Sequence, residues 1–354
     1  MSNRRCPRCH THYAAPARFC PRDGTPLVEV APAPPADPAS TTRTRAIERA
    51  AELPDQVYTS LTGRMLSGRY RVERRLGEGG MSYVYLARDV EADREVAVKV
   101  LSPRLIRDPG SVERLRREAA IAMRFDHPNV CPIFGLGETP ERLIYLVMAF
   151  LPGEPLSEHE IRQGALSVAE GIPLLLQICR GLEHAHGLDI VHRDLKPENV
   201  MLVPDRDVPG GTRAVVMDFG LAKERRAEPE VAKLTQTGVI LGTPEFMSPE
   251  QIRGKPLDGR SDVYALGVLA FEMFTGRLPF AGKSPQDMML ARLNGQPLRL
   301  RAVRPELPAN LETVITRALS RDPAGRFPSM DELGAAFASV TGTTGVFGRL
   351  FGRR

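Results

Sequence analysis

The segment His192-Arg193-Asp194-Leu195-Lys196-Pro197-Glu198-Asn199, followed downstream by Asp218-Phe219-Gly220, sets a carboxylate suited to a base beside two oxygen donors suited to a hard divalent cation. Arg193 and Lys196 stand among these acids as cations that can meet phosphate oxygens. Phosphoryl transfer calls for this combination, because its transition state asks for positioning and charge stabilisation and little covalent help. So many specified positions in one stretch, with a second motif at a fitting distance, rarely coincide by chance. Such chemistry also needs a loop that cradles phosphates, a cation on a rigid strand and a helix that carries its counter-ion.

The catalytic stretch resembles the eukaryotic-like (Hanks-type) protein kinases, in the serine/threonine branch found in bacteria, and the resemblance extends upstream. Leu76-Gly77-Glu78-Gly79-Gly80-Met81-Ser82-Tyr83-Val84 fits the family's glycine-rich loop, with Ser82 in place of the third glycine. Glycines allow the backbone close to phosphate because no Cβ intervenes. Alone, such a loop reads as easily as hairpin turn glycines. Val96-Ala97-Val98-Lys99 follows it, matching the strand whose lysine holds the α- and β-phosphates, and in that order the functional reading dominates.

Ser111 to Met123 reads as a helix with an apolar stripe of Val112, Leu115, Ala119 and Ala122. Glu118 falls on the inward side of that stripe and matches the family's helix glutamate, which implies a Lys99–Glu118 ion pair. The run from Leu143 to Met148 has the pattern of a buried strand and leads into Ala149-Phe150-Leu151-Pro152-Gly153, similar to the family's hinge. The resemblance makes Met148 the gatekeeper and gives the backbone of Ala149 and Leu151 to the adenine edge. Alanine replaces a commoner glutamate at Ala149, a small matter for a backbone contact. The implied nucleotide-contacting set is Leu76, Gly77, Glu78, Gly79, Gly80, Met81, Ser82, Val84, Ala97, Lys99, Met148, Ala149 and Leu151.

The resemblance also distributes the catalytic roles. Asp194 orients the incoming hydroxyl and accepts its proton, and Lys196 stabilises charge on the γ-phosphoryl. Asn199 and Asp218 bind Mg²⁺ or Mn²⁺, and Lys99 with Glu118 completes the set. Lys196 points to serine or threonine as acceptor. Thr235 and Thr237 in the activation segment are the expected phosphosites, with Arg193 as the receiving cation. That segment closes on Ser248-Pro249-Glu250, and Glu250 is expected to pair with Arg326. Asp262 matches an aspartate that caps the catalytic-loop backbone. Leu174 to His186 reads as a core helix, with Gly171 and Pro173 marking an irregular start.

Before this region, Cys6-Pro7-Arg8-Cys9 and Cys20-Pro21-Arg22-Asp23 repeat a knuckle pattern similar to short zinc ribbons. Asp23 stands where a fourth cysteine is expected, and His10 or His12 compete for that position. The Pro- and Ala-rich stretch from Ala31 to Pro38 reads as a stiff linker. The expected architecture is therefore α+β. A zinc-ribbon-like segment (1–28) and a linker (29–67) precede a two-lobed kinase domain (68–340), and a tail (341–354) follows. The β-rich N-lobe spans 68–148 and the helical C-lobe 149–340.

No apolar run is long enough to span a membrane, and the net charge of +5 has no aromatic-interleaved patch, so neither a membrane span nor nucleic acid is expected. The expected setting is cytoplasmic signalling. Expected partners are proteins with Ser/Thr acceptors, and a homodimer for phosphorylation in trans is a family property. Two rival readings stay open: a catalytically silent nucleotide-binding scaffold, and a ribbon that acts as a nucleic-acid module.

Overall fold

The computed structural model describes residues 3–5, 12–14, 28–29, 61–79, 82–101, 109–139, 141, 143–219, 244–282 and 284–341. The Cys6, Cys9, Cys20 and Asp23 assignments lie outside these residues, as do Gly80, Met81, Thr235, Thr237 and the C-terminal tail from 342. The chain divides into two units, Met1–Pro54 and Asp55–Arg354.

In the first unit, β1 (Asn3–Arg5), β2 (His12–Ala14) and β3 (Val28–Glu29) form an antiparallel sheet in the order β2-β1-β3. Arg5 lies opposite both His12 and Val28, so the end of β1 and the starts of β2 and β3 share one edge.

The second unit opens with an antiparallel sheet in the order β4-β5-β6-β7-β9-β8. Its strands are β4 (Met65–Leu66), β5 (Tyr70–Gly79), β6 (Ser82–Asp89), β7 (Arg94–Leu101), β8 (Ile133–Glu138) and β9 (Ile144–Ala149). The sheet starts earlier than Gly68. Leu61 is fully buried, the Gly63 amide donates to Val72 O at 2.8 Å, and β4 pairs with β5. Leu61 to Ser67, read as linker from composition, thus belong to this unit. In β7, Val96, Ala97, Val98, Val100 and Leu101 are all buried, the pattern of a strand covered on both faces, and Lys99 is the polar exception. Helix α1 (Pro109–Ala122) buries Leu115, Ala119 and Ala122, which is the stripe expected from spacing.

The helical part comprises α2 (Leu156–Gln163), α3 (Val168–His186), α4 (Pro249–Ile252), α5 (Gly259–Thr275), α6 (Pro285–Asn294), α7 (Leu300–Val303), α8 (Ala309–Ala318) and α9 (Met330–Val340). Helix α5 is apolar nearly all round and buried almost throughout, the character of a helix at the centre of a core. A small sheet of β10 (Glu154–Pro155), β11 (Val200–Pro204) and β12 (Thr212–Val216) leads the chain into and out of the two catalytic motifs.

Helix α3 does not begin irregularly near Pro173. Ser167 caps it through a reciprocal box with Glu170, and the helix runs from Val168 with Pro173 inside it. The cap supplies partners for amides that the first turn leaves open, and Pro173 forfeits only one further bond. Among the described residues no helix is long and apolar enough to cross a membrane.

Candidate active site

The catalytic loop is held from below by the first turn of α5. Asp262 Oδ2 accepts the His192 amide at 2.8 Å, Asp262 Oδ1 accepts the Arg193 amide at 3.0 Å, and His186 Nε2 lies 2.7 Å from Oδ2. Burial alone would push the Asp262 carboxyl up, but the hydrogen bond and charge of His186 and the His192 amide hold it below the usual range. The loop therefore rests on a fixed anion, and Arg193 is held with φ of 64°. A non-glycine residue keeps that conformation only where its surroundings over-determine it. Gln251 Nε2 adds a bond to Arg193 O at 2.8 Å.

His192 is fully buried and bridges the two motifs: its Nε2 donates to Met217 O at 2.8 Å and its Nδ1 accepts the Asp194 amide at 3.2 Å. Burial lowers its pKa, so the ring is neutral, with one nitrogen as donor and the other as acceptor. Phe219 packs on its ring at 4.7 Å between centroids and on Phe125 at 4.8 Å. Asn199 Nδ2 donates to Asp194 O at 2.8 Å, and the Met217 amide donates to Asn199 O at 2.8 Å. Asp194 and Asn199 are thereby tied to each other and to Met217, the residue that precedes Asp218, through backbone and side-chain bonds.

Lys99 reaches this group from β7. Its Nζ lies 2.8 Å from Asp218 Oδ2. The expected Lys99–Glu118 pair gives way to a crossed arrangement, in which Glu118 Oε1 faces Arg193 Nη1 at 3.9 Å. Lys99 thus faces the carboxylate of the second motif, and the helix glutamate faces the arginine of the catalytic loop. Sequence placed all four residues at the site but did not decide the pairing.

The oxygen donors of Asn199 and Asp218 fit Mg²⁺ or Mn²⁺. The Asn199 amide nitrogen is committed to Asp194, which leaves its oxygen as an acceptor, and Asp218 supplies an anion. Among the described residues no group of three or more His, Cys, Asp or Glu side chains could by itself hold a metal ion. A cation at this pair would thus complete its shell with phosphate oxygens and water, the usual habit of Mg²⁺.

The nucleotide-contacting candidates fall on the adjoining strands. Gly77, Glu78 and Gly79 of β5 pair with Val84, Tyr83 and Ser82 of β6, and Leu76 is exposed at 37%. Ala97 faces Met148 in the register between β7 and β9, and both are buried; Ala149 and Leu151 follow, each half-buried. Register thus brings the lysine strand and the hinge side by side.

Several supporting residues escaped the sequence reading. Gln251 carried a signal, since Ser248-x-x-Gln251 is a capping box at the start of α4. His186, at the end of the helix read as core, holds the anchor Asp262. Glu160 on α2 and Glu272 on α5 gave no local signal. Burial, then the charges of Glu272 and Glu198, push Glu160 up to about 8. Burial, then Glu198 and Glu245, push Glu272 up to about 7.

Residues 70–336 match the family model for the protein kinase domain. Serine/threonine-protein kinase pkn3 of Myxococcus xanthus is 37% identical over 280 residues, which cover 78% of this chain and 51% of that protein. PrkC of Bacillus subtilis is 38% identical over 275 residues, covering 78% of this chain and 41% of PrkC. The chain thus spans about half, or less, of the length of these curated relatives. The crystal structure of the Mycobacterium tuberculosis PknI kinase domain superposes with a TM-score of 0.62 at 31% identity, covering 78% of this chain and 98% of that domain.

Proposed function

The chain belongs to the protein kinase family and carries a serine/threonine protein kinase domain, and from that premise we propose that it transfers the γ-phosphate of ATP to serine and threonine hydroxyls of proteins. The observation that carries the proposal is the hydrogen bonding that ties Asp194 to Asn199 and Asn199 to Met217, next to Asp218, with Lys99 at 2.8 Å from Asp218. Asp194 orients the acceptor hydroxyl and takes its proton. Lys196 meets the transferring phosphoryl, Lys99 the α- and β-phosphates, and the loop from Leu76 to Val84 covers them. Met148, Ala149, Leu151 and Ala97 line the adenine side. A bound divalent cation would neutralise charge developing on the phosphate oxygens, and Asn199 and Asp218 would hold it.

The same reading makes Thr235 and Thr237 autophosphorylation sites, modified in trans by a second copy of the chain. Because ATP is an intracellular substrate, we assign this work to the cytoplasm. For the first unit we propose a structural zinc held by Cys6, Cys9, Cys20 and either Asp23 or a histidine. Supporting this are the spacing of those residues and the register that sets the end of β1, just before Cys6, opposite the start of β3, after Asp23.

The test is incubation of the chain with Mg²⁺ and γ-labelled ATP beside Asp194→Asn, followed by mass-spectrometric mapping. Label on Thr235 or Thr237 in the unsubstituted chain alone is the expected result. ATP binding with no label in either chain would overturn the catalytic reading in favour of a silent nucleotide-binding scaffold.

A further inference from the structure

The peptide group between Arg193 and Asp194 is bonded on both sides. Its N–H, the amide of Asp194, donates to His192 Nδ1 at 3.2 Å, and its oxygen, Arg193 O, accepts from Gln251 Nε2 at 2.8 Å. The first bond lies within the catalytic loop, whereas the second comes from α4, 58 residues downstream. Gln251 is itself fixed from the other end. Its Oε1 accepts the Ser248 amide at 2.9 Å, so its NH₂ group faces Arg193 O and the way the side-chain amide points is settled. Helix α4 is anchored in turn, by Glu250 on Arg326 and by Ile252, fully buried against Met247 and Met289. Arg193 carries its φ of 64° between these supports.

We propose that Gln251 is a positioning residue for Asp194: it fixes the plane of the Arg193–Asp194 peptide and thereby the direction in which the carboxylate leaves the backbone. This rests on the reading of Asp194 as the group that orients the acceptor hydroxyl. A peptide group is planar and turns as a unit, so a rotation about its ends swings the side chain that follows it. Asp262 holds the amides of His192 and Arg193, but neither bond reaches the peptide after Arg193. His192 Nδ1 holds that peptide by its N–H side, and Gln251 supplies the opposing point on its oxygen. Held from both sides, the plane cannot turn. Phosphoryl transfer needs the attacking and leaving oxygens in line, and a misplacement of about 1 Å can cost about 10²-fold. Gln251 also closes the capping box with Ser248, a purely structural task. That task uses the Oε1 acceptor, whereas the bond to Arg193 uses the Nε2 donor, so substitution can separate the two.

A pair of substitutions tests this. Gln251→Glu keeps an oxygen for the Ser248 amide but has no N–H for Arg193 O, and Gln251→Lys keeps a donor but has no acceptor for the cap. Both full-length chains are compared with the unsubstituted chain and with Asp194→Asn. Transfer from Mg²⁺–ATP is followed to the chain itself and to myelin basic protein, and thermal unfolding is recorded for each. Gln251→Glu is expected to lower kcat about 10- to 100-fold, with the KM for ATP and the unfolding midpoint unchanged. Gln251→Lys is expected to recover most of that loss although the cap is broken. An undiminished kcat in Gln251→Glu, a loss confined to KM, or equal losses in the two variants overturns the proposal and leaves Gln251 as a cap alone. Gln251→Met, which lacks the donor and adds no charge, stands in if Gln251→Glu does not fold. It should show the same fall in kcat, and full activity would again overturn the proposal. If the unsubstituted chain labels neither itself nor the acceptor, or if Asp194→Asn is equally active, the reading of the site itself fails, and this inference with it. If Asp194→Asn alone is impaired, only the role of Gln251 fails.

Discussion

Arg326 and Glu250 meet in a two-pronged ion pair, Nη1 to Oε1 at 2.6 Å and Nη2 to Oε2 at 2.7 Å, with side-chain exposures of 0% and 7%. Ser261 donates to the same carboxylate at 2.7 Å, and further Arg326 N–H groups donate to Ser320 O and Arg260 O. Every charge in the pair is thus compensated inside the protein. The pair joins the end of the activation segment to the segment before α9, two regions far apart in sequence.

Replacing Arg326 by Ala should cost about 3–5 kcal/mol, because it leaves Glu250 buried and uncompensated. The check is a urea or guanidinium titration; a loss below about 1 kcal/mol, the scale of a surface pair, would contradict the burial argument.

Asp218→Ala should lower Mg²⁺-dependent phosphoryl transfer by on the order of 10³-fold, the scale of removing one charge-stabilising part of this chemistry. Its fold should persist, since the second motif is also held by Phe219 on His192 and Phe125. Steady-state transfer and far-ultraviolet circular dichroism read the two halves of this expectation.

Thr235→Ala with Thr237→Ala should slow activation in a time course of autophosphorylation while leaving ATP binding unchanged. An unaltered time course would remove both threonines as switches. The physical basis is the charge of about −1.5 to −2 that a phosphothreonine brings to a cation such as Arg193.

Stability should fall from mild acid toward alkaline pH because of Glu272. Its carboxyl is pushed up to about 7, by burial first and then by Glu198 and Glu245. A carboxyl with a raised folded-state pKa favours folding below its unfolded pKa of about 4.3 and loses that contribution as pH climbs to the folded value. Glu272→Gln keeps the shape without the charge. The denaturation midpoint should therefore rise at pH 8 relative to the unsubstituted chain and stay nearly the same at pH 4. A pH-independent difference would show that charge is not the cause.

Elemental analysis should find about one zinc per chain, and chelation should abolish the ordered state of the first unit while sparing that of the second. A metal-free preparation whose first unit keeps its amide protection would rule the zinc out.

How much of this was legible in the sequence follows from the range over which each interaction acts. The catalytic loop, the Asp218 motif, the lysine strand and the stripe of α1 are patterns within short segments, where residue type and spacing alone state the chemistry. The Glu250–Arg326 pair was also foreseen, because the family resemblance supplied a contact that spacing cannot. Local pattern was insufficient at Leu61, whose burial depends on strands that follow it, and at α3, where the Ser167–Glu170 cap outweighs Pro173. It was silent on Glu160 and Glu272, acids from α2 and α5, the first of which feels the charge of the second only because the helical lobe packs them together. Above all, sequence assembled Lys99, Glu118, Arg193 and Asp218 at one place, yet only the tertiary structure decided that Lys99 faces Asp218 and Glu118 faces Arg193. Ion pairing depends on distances of an ångström or two between atoms carried by separate segments, and such distances are set by packing and backbone geometry, not by the order of residues along the chain.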